Sequence, residues 1–85
     1  MTEIEIRMKL SGEGLADPEE LALRHRFQDE IESRGIGKDL GGGSGFGEMD
    51  VLVEVADAET GKSRLRLLAD ELGISDRTTI QERIE

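Results

Sequence analysis

Five of the seven residues from 41 to 47 are glycine, in the run Gly41-Gly42-Gly43-Ser44-Gly45-Phe46-Gly47, and they break the chain between an acidic helical pattern and a strand pattern. Glycine reaches backbone angles that other residues adopt only with strain, so such a run forms a reversal, a tight backbone approach or a loose loop. The flanking segments narrow the choice. Beyond the run, Val51, Val53 and Val55 face one side and Asp50, Leu52, Glu54 and Ala56 the other, the β-branched alternation of a central strand over Asp50–Ala56. Ahead of it, Ile36-Gly37-Lys38-Asp39-Leu40 is too short for a helix and suits an irregular edge strand. The run then reads as the hairpin between these two strands.

The rest of the chain supplies two more strands and two helices. Ile4, Ile6, Met8 and Leu10 alternate with Glu3, Glu5, Arg7 and Lys9, the pattern of a half-buried strand that Ser11-Gly12-Glu13-Gly14 ends. Asp17-Pro18-Glu19-Glu20 opens a helix with an N-cap, a proline at the first helical position and a return acid three residues after the cap. Leu23, Phe27 and Ile31 form its narrow apolar stripe, with Leu21 flanking, and Gly35 stops it. Asp57 caps a second helix, in which Leu65, Leu68, Ala69 and Leu72 share a face, Gly61 weakens the first turn, and Gly73-Ile74 closes the end. Asp76–Ile84 reads as a turn and a strand, with Glu82 on the same side as Ile80 and Ile84, which suits an edge.

Strand, helix, strand, strand, helix, strand is the order of the ferredoxin-like βαββαβ fold, an α+β two-layer sandwich. Right-handed crossovers put the first and third strands at the centre and both helices on one face of an antiparallel sheet. Each strong strand has a single apolar face, as a two-layer sandwich requires and a doubly covered parallel sheet does not.

Eighty-five residues make one domain, spanning 1–85, with a core of Ile, Leu and Val because Trp and Tyr are absent. Cysteine is absent too, which closes disulfides, thiolate metal sites and thiol nucleophiles and fits a reducing cytoplasm. No apolar run approaches a membrane span, and the alternating first residues lack the basic start and apolar stretch of a leader; the expectation is a soluble cytoplasmic protein with an intact N-terminus. Twenty acids against eleven bases give a net charge of −9, which repels nucleic acid and favours a basic protein partner if it does more than keep the chain in solution.

No complete catalytic set accompanies these elements, and the expectation is a non-enzymatic chain with no cofactor and no metal. The glycine run is followed by Glu48, Asp50 and a strand, whereas a Walker A loop continues into Lys-Ser/Thr and a helix, and carboxylates beside a nest of amides repel phosphate. Hairpin geometry accounts for the run best; a contact with a partner or ligand, carried by Gly43, Ser44, Gly45, Phe46, Gly47 and Asp50, is the second reading. His25, the only histidine, stands four residues before Asp29, a pair that could orient an imidazole for base work, yet no serine or cysteine can be assigned beside it. The uncovered sheet face carries Glu3, Glu5, Asp50 and Glu54 with Arg7, Lys9, Arg83 and Leu52, and lacks the stacking aromatics that RNA-recognition domains place there.

The layout resembles that of ACT domains, small ferredoxin-like regulatory modules that pair through sheets or helices and hold amino acids at the turn from first strand to first helix. Ser11-Gly12-Glu13-Gly14-Leu15 stands roughly where their Asp-x-x-Gly-Leu turn stands, and Gly35-Ile36 follows the first helix as their Gly-Ile often does. The resemblance covers about residues 4–40; Asp57, Gly61 and the glycine run have no counterpart in it. It implies a ligand at Gly14. Three functional expectations follow: a module working through protein contact or self-association, an acidic inhibitor or immunity-type protein for a basic enzyme, and an ACT-like ligand sensor.

Overall fold

The computed structural model describes residues 1–10 and 17–83. Its elements are β1 (Thr2–Lys9), α1 (Pro18–Ser33), β2 (Lys38–Gly45), β3 (Glu48–Val55), α2 (Ala58–Glu71), a short 3-10 turn (Ser75–Arg77) and β4 (Thr78–Glu82). The strands pair in the order β2-β3-β1-β4, every neighbour antiparallel. This is the ferredoxin-like α+β fold.

Alternation in the two central strands sends Ile4, Ile6 and Met8 of β1 and Met49, Val51, Val53 and Val55 of β3 to one face, where all are at most 1% exposed. Onto that face pack Phe27 and Ile31 of α1 and Leu65, Leu68 and Ala69 of α2, with Leu23, Leu72 and Ile80 partly buried around them. The core thus lies between one sheet face and two helices, and each fully buried Ile, Leu, Val, Met or Phe in it is worth about 1.5–3 kcal/mol.

Capping sets where the helices begin. Asp17 Oδ1 accepts from the Glu20 amide at 2.9 Å while the Asp17 amide donates to Glu20 Oε1 at 3.3 Å, a complete capping box ahead of Pro18. Asp57 Oδ2 accepts from the Thr60 amide at 2.8 Å at the head of α2. Amide and then hydroxyl bonding from Thr60 holds the Asp57 carboxyl below its ordinary value. Both helices end alike: the Ile36 amide donates to Ile31 O at 3.0 Å and the Ile74 amide to Ala69 O at 2.9 Å, each across a left-handed glycine, Gly35 or Gly73. The isoleucine after each glycine turns back into the core.

Arg64 of α2 clasps the end of α1, its Nη2 donating to Arg34 O at 2.7 Å and its Nη1 to Gly35 O at 3.2 Å, so a cation meets the carbonyls that the helix leaves open. Arg34 in turn bridges Glu30 of its own helix and Glu71 of α2, both at 2.6 Å. Those two carboxylates, Glu30 first, raise the Arg34 guanidinium above its ordinary value.

Gly61 does more than weaken a turn. A Cβ there would stand 2.8 Å from Val55 Cγ2 and 2.9 Å from Val55 Cβ, so the missing side chain is what lets the first turns of α2 lie against β3.

The second strand differs from its expected extent. Ile36 is the buried closing residue of α1, and β2 starts at Lys38 and continues through Gly45, so most of the glycine run is ladder and only Phe46-Gly47 makes the turn. A strand this poor in side chains persists because β3 pairs with it on both sides of a bulge at Leu40 and two aspartates tie its amides. At the opposite edge, β4 has Ile80 opposite Ile6 on the helix side and Glu82 opposite Ile4, the edge placement expected for that acid. Ile84 lies outside the described residues. Among the described residues no helix is long and apolar enough to cross a membrane.

Candidate functional site

The six residues singled out by sequence, Gly43, Ser44, Gly45, Phe46, Gly47 and Asp50, come together at one end of the β2–β3 hairpin. Five of them, all but Gly47, line a shallow depression of about 420 Å³ together with Arg7, Glu48 and Met49. The turn itself is two residues long, between the paired Gly45 and Glu48, and both Phe46 (φ 54°) and Gly47 (φ 78°) are left-handed, as a type I′ turn requires. Gly47 also accepts the Leu10 amide at 2.8 Å, which ties the turn to the end of β1.

Phe46 is the anomaly. It is one of two aromatic residues in the chain, it is fully solvent-exposed, and it occupies a backbone region that L-residues adopt at a penalty of roughly 1–2 kcal/mol. Asn, Asp or Gly would sit there more easily.

Two carboxylates hold the glycine strand in place. Asp39 Oδ1 accepts from the Gly41 amide at 2.9 Å and from Gln28 Nε2 of α1 at 3.1 Å, across a slip in register that leaves Leu40 as the extra residue of a bulge. Asp50 Oδ1, on the neighbouring strand, accepts from the Gly43 amide at 2.8 Å. Gly42 admits no other residue in this geometry, since a Cβ would run into the Asp50 carbonyl oxygen.

The register fixes the uncovered face. Gly41, Gly43 and Gly45 stand beside Leu52, Asp50 and Glu48 of β3, which stand beside Glu5, Arg7 and Lys9 of β1, and Arg7 beside Thr79 of β4. The β2 side of this face is thus bare, and the rest interleaves carboxylates with cations. Arg7 Nε donates to Glu5 Oε1 at 2.6 Å, an exposed pair worth at most about 1 kcal/mol.

Sequence patterning missed Leu40, an exposed apolar residue at the other end of the glycine stretch. Side-chain alternation carries no signal for it, because Leu40 is the extra residue of a bulge that only the pairing register reveals. His25 is exposed on α1, and among the described residues no hydrogen bond or ion pair joins it to Asp29. Among the described residues no three histidines or carboxylates gather where a metal ion could sit. The turn Ser11-Gly12-Glu13-Gly14-Leu15, which carries the ACT resemblance and its ligand, lies outside the described residues. Compared with known protein families, with curated proteins and with solved structures, the chain matches none.

Proposed function

We propose that this chain is a non-enzymatic protein-contact module of the cytoplasm, and that the contact surface is the β2–β3 hairpin with Phe46 as its anchor. The observation that carries the reading is Phe46 itself: a fully exposed aromatic ring held on left-handed backbone. Among the described residues the exposed ring is left uncovered, so no burial offsets the strain, whereas aromatic side chains are enriched where one protein binds another.

A photoreactive phenylalanine analogue at position 46 tests this. The expected result is a defined cross-linked protein species from position 46 and none from position 67, where Leu67 is an exposed apolar control on α2. Equal or absent cross-linking at both positions would end the proposal.

A second reading, an acidic inhibitor of a basic enzyme, is favoured by the net charge of −9 and by Glu48 and Asp50 beside the anchor. In that case the captured protein is basic and its association rate falls steeply with added salt.

A further inference from the structure

We infer that the occupant of this hairpin is a second copy of the chain, joined edge to edge through β2 about a two-fold axis at Gly43. The inference rests on the hairpin being a contact surface and adds what contacts it, in which register.

Backbone bonding comes first. A two-residue hairpin closes on a pair that exchanges both of its backbone bonds, so Gly45 and Gly43 direct their N–H and C=O groups toward β3, while the Gly41 amide turns to Asp39 Oδ1 at the bulge. The Gly43 amide points to that side, donating to the side-chain Oδ1 of Asp50, the residue opposite it on β3, at 2.8 Å. Gly42 and Ser44 direct theirs out of the sheet, and β2 is its terminal strand. An edge of this kind, without guarding side chains, is a template for another strand.

Register comes next. Strands that pair must share a face residue by residue, and the bulge at Leu40 shifts the face of everything before it. Only the stretch from 41 to 45 keeps an unbroken register with β3, and with an antiparallel second copy it matches itself when Gly43 lies opposite Gly43. Gly42 then faces Ser44 of the second copy, and the outward groups of these residues bond to each other twice over.

The same register settles the side chains. Immediately beyond the paired stretch it brings Phe46 of one copy beside Leu40 of the other, at both ends. These two are exposed large hydrophobic residues on this edge, and the two-fold axis covers each with the other. With a charge of −9 on each copy, pairing tightens as salt rises, the reverse of what a basic partner shows.

Because the chain has no cysteine, Gly43→Cys gives a single thiol at the axis, where opposed Cα atoms about 4.5–5.5 Å apart suit a disulfide. A Cβ at Gly43 meets only Asp50 Oδ1 at 3.6 Å, an ordinary contact, so the fold accepts the change. Under mild oxidation Gly43→Cys should form a covalent dimer much faster than Thr79→Cys, the control on the same sheet face. Sedimentation equilibrium of the unmodified chain should show a reversible monomer–dimer exchange. Phe46→Asn should weaken it roughly tenfold to a hundredfold, because the two-fold axis removes a buried ring at each end. A monomer at every concentration and salt level, equal oxidation rates for the two cysteine variants, or a dimer indifferent to Phe46→Asn would each overturn the inference. Cross-linking of position 46 to a different protein would do so too, while leaving the hairpin as the contact surface.

Discussion

The two edges of the sheet are built on opposite plans. β4 is short, five residues, and guarded: Glu82 lies on its helix side, Arg83 reaches Glu3 at 3.9 Å and Arg77 reaches Glu20 at 3.8 Å. β2 is eight residues long, mostly glycine beyond its bulge, and ends in an exposed phenylalanine. Charged, short edges resist pairing with other chains, and the first edge follows that rule. The second breaks it while being tied down from inside by Asp39 and Asp50. Order on the inner side of an edge and availability on its outer side are therefore separate properties, set by different atoms.

Substitutions can break that contrast. Gly42→Val should have the largest effect, a loss of about 2–3 kcal/mol or more in urea unfolding, because its Cβ meets the Asp50 carbonyl oxygen of the neighbouring backbone. Asp39→Ala removes the acceptor shared by Gly41 and Gln28 and should cost about 1–2 kcal/mol, with faster hydrogen exchange along β2 than along β4. Phe46→Asn should stabilise the monomer by about 1 kcal/mol as the turn relaxes, even as it weakens association. Gly43→Ala, whose Cβ makes only an ordinary 3.6 Å contact with Asp50 Oδ1, should change stability by no more than about 0.5 kcal/mol either way. If Gly42 and Gly43 prove equally tolerant, the inner side of the edge is not held as described.

A control remote from both edges is Asp57. Its carboxyl is depressed by Thr60, so its share of stability is complete above the unfolded-state value and disappears as pH falls through the lower folded one. Asp57→Asn, which keeps a capping oxygen, should flatten that acid limb of a stability–pH curve and leave the behaviour of β2 and β4 alone.

Most of the fold could be read from side-chain periodicity, because β1, β3 and α2 each bury one face and the aspartates that cap the helices act within three residues. β2 could not, for a physical reason: alternation is carried by side chains, and Gly41, Gly42, Gly43 and Gly45 have none. What makes them a strand is the ladder offered by β3 and the carboxylates of Asp39 and Asp50, the second of which is seven residues away from the amide it binds. Gly61 shows the same limit, since propensity ranks it as a defect while Val55 behind it makes it a fit. The candidate residues Gly43, Phe46 and Asp50 were legible as a cluster; Leu40 was not, because its role depends on a bulge that only the pairing register discloses.

The paired endings Gly35-Ile36 and Gly73-Ile74 have a consequence for how such a chain can change. Each terminating isoleucine is also a structural plug, 7% and 2% exposed, so inserting or deleting one residue at either exit would pull a plug from the interior. The helix exits are thereby closed to length variation, because the residue that ends each helix also seals the core.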